Sequence, residues 1–129
     1  MQDEGLTEKI IGCAFKMHNT LGPGYLEKVY ENAMCIELAK QGLQVRQQQP
    51  VTVRYEGQVV GEYLVDLWVE DRIIVELKAV QALTKAHEAQ VVNYLTATGT
   101  DIGLLINFGA SSVGVKRKHH VYKPKTKQH

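Results

Sequence analysis

Apolar residues recur at helical intervals over 6–19, at Leu6, Ile10, Cys13, Ala14 and Met17, and Leu21-Gly22-Pro23-Gly24 ends the pattern in a turn. A second helix is predicted over 25–40, carrying Leu26, Val29, Tyr30, Ala33, Met34 and Leu38, with Gly42 as its left-handed carboxyl-terminal cap. From Val45 the period changes to two: Val51, Val53 and Tyr55 alternate with polar residues until Glu56-Gly57 marks a turn. Two denser segments follow at about 59–69 and 73–80, and runs such as Leu67-Trp68-Val69 and Ile73-Ile74-Val75 predict strands covered on both faces. Thr84 is placed to cap a helix through about Thr98 that Gly99 closes. Residues 102–108 then read as a buried strand and 113 to about 121 as an edge strand.

The resulting order is αα-βββ-α-ββ, an α/β (α+β) arrangement in which a central sheet is flanked by helices. No internal repeat or interdomain linker interrupts it. With 129 residues, 44% of them hydrophobic, the chain suits one core. The expected organisation is one domain over 1–122 and a basic, disordered tail over 123–129.

Charge changes this picture in one respect. Of the 15 Lys and Arg, six lie beyond residue 115, where there is no acid, which leaves nine bases against fourteen acids in the body. Lys116, Arg117 and Lys118, with Lys123, Lys125 and Lys127 behind them, are candidates for sequence-independent attraction to phosphates; a solubilising terminus is the plainer reading. Cys13 and Cys35 have no CxxC spacing and read as reduced core thiols rather than zinc ligands. The chain opens Met-Gln-Asp-Glu and contains no apolar run near the roughly 18 residues of a membrane span, so a cytoplasmic protein without membrane contact is expected.

The candidate chemistry is acid set inside apolar strands. Asp66 interrupts Leu64-Val65 and Leu67-Trp68, while Glu76 and Lys78 interrupt the 73–80 run. If Glu70-Asp71-Arg72 is the loop, Val69 faces Ile73 and Asp66 stands across from Glu76. Opposed carboxylates repel, and burial adds several kcal/mol unless a proton, cation or metal compensates. Magnesium suits such a pair because it takes oxygen from one or two carboxylates and keeps water and phosphate as other ligands. Lys78, two residues past Glu76, would emerge on the same face and stabilise charge developing on phosphate. The plainer reading is that both acids point at solvent on a half-exposed sheet, with Lys78 pairing with one of them. The register decides, since a two-residue turn would oppose Asp66 to Val75 and separate the acids onto different faces.

On the helices, Glu27, Tyr30 and Glu31 stand one turn apart, and His87, Gln90 and Tyr94 form a stripe beside Val91. Glu27 also reads as an acid satisfying a helix amino terminus, and His87 as a satisfied or exposed histidine.

Leu21-Gly22-Pro23-Gly24-Tyr25-Leu26-Glu27-Lys28-Val29-Tyr30 resembles the signature of the bacterial GxxExxY proteins. Further blocks are similar in order: Tyr63 to Leu67, Val75 to Val80, His87 to Leu95 and Gly103 to Gly109. That family is placed in the PD-(D/E)xK, restriction-endonuclease-like nuclease superfamily. The resemblance implies a mixed sheet with the acids on its central hairpin, and Mg2+-dependent hydrolysis of nucleic-acid phosphodiesters by attack of an activated water. Mn2+ would substitute. It further implies that Asp66, Glu76, the Leu77 carbonyl and Glu27 bind metal, that Lys78 is the superfamily lysine, and that Gln90 and Tyr94 position water or substrate. Val65 stands where the superfamily's name has proline, a residue that ligates nothing. The expected substrate is DNA read with low sequence specificity, an RNA-directed enzyme being a third class, and a homodimer would span a duplex better than one copy. The alternative is a non-catalytic module that binds nucleic acid or protein and retains the nuclease fold.

Overall fold

The computed structural model describes residues 3–120; the expected tail at 123–129 lies outside the described residues. Its elements are α1 (Glu4–Leu21), α2 (Glu27–Lys40), β1 (Val45–Tyr55), β2 (Gln58–Val69), β3 (Ile73–Lys78), α3 (Lys85–Thr98), β4 (Ile102–Asn107) and β5 (Gly114–His119). This is the predicted order. The second helix starts two residues later than expected, and β3 and β5 end at Lys78 and His119 rather than near 80 and 121.

One five-stranded sheet runs β1-β2-β3-β4-β5. The first three strands form an antiparallel meander, α3 carries the chain over so that β3 and β4 pair in parallel, and β5 returns antiparallel to β4. The mixed α+β architecture is that of a restriction-endonuclease-like domain. Among the described residues no helix is long and apolar enough to cross a membrane.

Alternation along β3 divides the core. Ile73, Val75 and Leu77 face α1 and α2, against Ile10, Met17, Tyr30, Met34 and Leu38, while Ile74 faces α3 with Tyr94 and Leu95. Cys13 is buried and Cys35 half-buried, both as free thiols. α3 rides close on β4 at Gly103, where a Cβ would stand 2.7 Å from Val91 Cγ1. The helix is set by its ends: Thr84 Oγ1 accepts from His87 N–H, His87 Nδ1 accepts from Thr84 N–H, and Gly99 takes the left-handed conformation.

The segment after β3 is clamped rather than continued as strand. Phe108 N–H donates to the Lys78 carbonyl at 2.8 Å. The Asn107 amide then binds both main-chain groups of Val80, its Nδ2 donating to Val80 O and its Oδ1 accepting from Val80 N–H. Gly109 lies so close that a Cβ there would collide with the Val80 carbonyl oxygen. These contacts fix the backbone that carries Lys78.

Candidate active site

The ladder between β2 and β3 pairs Val69 with Ile73, Trp68 with Ile74 and Leu67 with Val75, the register that the three-residue loop predicts. One step further, Asp66 meets Glu76, and side chains take over from the main chain. Asp66 N–H donates to Glu76 Oε1 at 2.9 Å, and Leu77 N–H donates to Asp66 Oδ2 at 2.8 Å. Asp66 is 9% and Glu76 4% exposed, so the solvent-facing alternative does not hold.

Burial has the consequence that repelling acids must have. It raises the Glu76 carboxyl to about 8, with the Asp66 charge adding to the effect and the Asp66 N–H and Lys78 opposing it. Asp66 is raised as well, by burial first and by Glu31 among the charges, against hydrogen bonds from Leu77 N–H and Gln48.

Two residues on which the sequence reading placed no role complete the surroundings. The pairs Gln47 with Leu67 and Gln49 with Val65 bracket Gln48 opposite Asp66. Gln48 sits at φ 55°, a conformation that costs a side-chain-bearing residue roughly 1–2 kcal/mol. Its amide donates to Asp66 Oδ1 at 3.2 Å and to Glu31 Oε1 at 2.8 Å. Glu31, only 3% exposed, also accepts from Gln47 Nε2 and Lys28 Nζ. The strand alternation breaks at the same place: Val65 packs on the α3 side and Leu67 on the α1 and α2 side.

Glu27 is the first residue of α2 and half-buried. Its carboxyl is raised by burial first and then by Asp66, with Lys78 opposing, so it shares the field of the acids. It does not join them in a cluster: among the described residues no three of His, Cys, Asp and Glu are grouped so as to hold a metal. α2 turns Glu31 onto the Gln48 bridge, and Glu27, one turn before it, meets the pair through the field of Asp66.

The signature block does structural work. Gly24 has φ 108°, and Tyr30, fully buried, donates from its hydroxyl to the Gly22 carbonyl at 2.6 Å while stacking on Phe108 at 4.9 Å. His18 lies beneath the same ring, its Nε2 donating to the Phe108 carbonyl at 3.0 Å. His87 caps α3 and leaves the inward stripe to Gln90 and Tyr94. Both line a cleft of about 820 Å³ between α3 and the β1–β2 hairpin. The acids are not in its wall. Tyr94 links the two regions, because its hydroxyl is pushed up to about 12 by burial first and by Glu76 and Asp66 next.

Lys116, Arg117 and Lys118 do not form one patch. Successive β5 residues point to opposite faces: Lys118 pairs with Glu88 of α3 at 3.0 Å, and Arg117 reaches Thr7 of α1.

A mixed sheet between helices, with two buried acids and a lysine where two antiparallel strands part, defines a restriction-endonuclease-like domain. A family model for the PD-(D/E)XK nuclease superfamily matches residues 4–118, and the chain belongs to that superfamily. No curated protein and no solved structure matches it.

Proposed function

We propose that the chain is a metal-dependent nuclease of the GxxExxY branch, hydrolysing DNA phosphodiester bonds with low sequence specificity. The buried Asp66–Glu76 pair carries this reading, since the mutual repulsion that helps raise Glu76 is what a bound cation would relieve. The donors are all oxygen and suit magnesium, with manganese as a substitute. Asp66 and Glu76 would hold the ion, and Glu27 and the Leu77 carbonyl are the further donors within the site. Two carboxylates suffice, because magnesium fills its octahedron with water and phosphate. When bound, the ion polarises the phosphoryl oxygens and acidifies water.

The chain's own groups do the rest. Lys78, half-buried at the end of β3, places a cation where charge develops on phosphorus-bound oxygen. Gln90 and Tyr94 present an amide and a neutral phenol that orient water or substrate. Lys116 and Lys118, on the α3 face, and Arg117 on the other draw phosphates toward the domain.

A second reading, a non-catalytic module that binds nucleic acid or protein, is favoured by one observation: the carboxylate oxygens already accept from Asp66 and Leu77 N–H. The test is to titrate Mg2+ and then Mn2+ into wild type and an Asp66→Ala/Glu76→Ala double variant, recording heat and cleavage of labelled single- and double-stranded DNA and RNA. Metal-dependent cleavage lost in the variant is expected. Absence of metal binding, with a more stable double variant, would leave the module reading in its place.

A further inference from the structure

The cleft between α3 and the β1–β2 hairpin has a composition unlike the rest of the body. Acids outnumber bases over residues 1–115, yet the cleft wall contains no acid and one cation, Arg54. The β1–β2 register shifts between Val53 and Arg54. Such a shift re-aims neighbouring side chains, and the consecutive residues Thr52, Val53 and Arg54 all line the cleft beside it.

The same cleft is lined by two aromatic rings, Tyr63 and Tyr94. Tyr63 is 49% exposed, its ring centroid 5.7 Å from that of Tyr94. The Tyr63 ring lies along the strand beside Gly61, where a Cβ would stand in ordinary contact with Tyr63 Cε2 at 3.4 Å. Gln90 and Asn93 add amides, able to donate and accept, on the α3 wall. At about 820 Å³ the space falls within the range of small-ligand sites.

We infer that this cleft binds one unpaired nucleotide, its base stacked on Tyr63 and its phosphate at Arg54, so that the substrate strand is single-stranded beside the bond to be cut. The inference rests on the nuclease reading and names its substrate class. A base within a duplex has both faces covered by its neighbours, whereas an unpaired base offers a face to an aromatic ring. Tyr94, shared between the cleft and the surroundings of the acids, sets the nucleotide next to the reacting phosphate. The amides of Gln90 and Asn93 meet the polar edge of any base, which accords with low sequence specificity.

The test measures anisotropy of fluorescent single-stranded and duplex DNA of equal length with wild type, Tyr63→Ala, Tyr63→Phe and Arg54→Ala in EDTA, with the melting temperature of each as fold control. Wild type is expected to prefer the single strand. Tyr63→Ala should weaken single-strand binding by about tenfold while leaving duplex binding alone, Tyr63→Phe should keep the affinity, and Arg54→Ala should lose affinity with a smaller salt dependence. A preference for duplex, or folded Tyr63→Ala and Arg54→Ala proteins that bind single strands as wild type does, would overturn the inference. Metal-dependent cleavage by wild type is scored in parallel. Cleavage with an irrelevant cleft defeats this inference alone, and a single-strand-binding cleft without cleavage under any metal defeats the nuclease reading alone.

Discussion

Asp66 and Glu76 each occupy a hydrogen-bonding position in the other strand: the Glu76 carboxylate accepts from Asp66 N–H, and the Asp66 carboxylate accepts from Leu77 N–H, next to Glu76. The acids are therefore part of the sheet as well as of the site, and charge can be separated from hydrogen bonding by substitution. Glu76→Gln keeps an acceptor for Asp66 N–H and removes a buried charge, so in EDTA at pH 8 it should unfold at a higher temperature than wild type. Glu76→Ala leaves that N–H unpaired in a buried place, a loss of about 1–3 kcal/mol, and should unfold lower. Both should lose cleavage. Thermal unfolding of the three proteins side by side checks the order.

The raised Glu76 carboxyl makes stability depend on pH. Its folded value of about 8 lies above the 4.5 of an unperturbed glutamate, so between these values the folded state holds a proton that the unfolded state has released. The contribution is full below the unfolded value and is lost as pH rises through about 8, on the order of a few kcal/mol. Asp66, also raised, acts in the same direction. Glu37 and Glu88 are lowered by their lysine partners and act the opposite way at more acid pH. Urea titrations in EDTA should show stability falling from about pH 5 to pH 8, and saturating Mg2+ should flatten the slope by taking the proton's place. A slope unchanged in Glu76→Gln would assign the effect elsewhere.

The parts of this arrangement legible in the sequence were those set by local rules. Thr84 and Gly99 bound α3 because capping is chemistry within one turn. The opposition of Asp66 and Glu76 followed from counting three loop residues between Val69 and Ile73. The bridge of Gln48 to Glu31 was not legible, since it depends on the register of β1 against β2 and on how α2 docks, neither of which periodicity records. Helical spacing put Glu27, Tyr30 and Glu31 on neighbouring faces, and only docking decides that Glu31 meets the bridge while Glu27 shares the field of Asp66 and Lys78. Lys116, Arg117 and Lys118, grouped together on composition, are split by the strand's period of two, which separates neighbours.

Gln48 tests whether the strained backbone opposite Asp66 is kept for function. Gln48→Gly removes the conformational cost of φ 55°, roughly 1 kcal/mol or more, and also removes the hydrogen bonds to Asp66 and Glu31. The relieved strain and the lost hydrogen bonds oppose each other, so stability should change little while cleavage falls. If cleavage and stability fall together, Gln48 is simply part of the packing.

Lys78 separates metal binding from turnover. Its charge favours the ionised forms of Glu76 and Glu27, yet a cation beside a metal site also repels the metal. Lys78→Met keeps the aliphatic stem and removes the charge. Because the residue is half-buried at a strand end, folding should change little. Mg2+ should bind about as tightly as in wild type, since the lost repulsion opposes the lost help to the carboxylates. Cleavage should fall by about 100-fold or more, the scale on which removing one group that stabilises developing charge is felt. Calorimetry of metal binding and single-turnover cleavage on the same preparation check both halves. Weaker metal binding with cleavage restored at high Mg2+ would reassign Lys78 from stabilising charge on phosphate to tuning the acids.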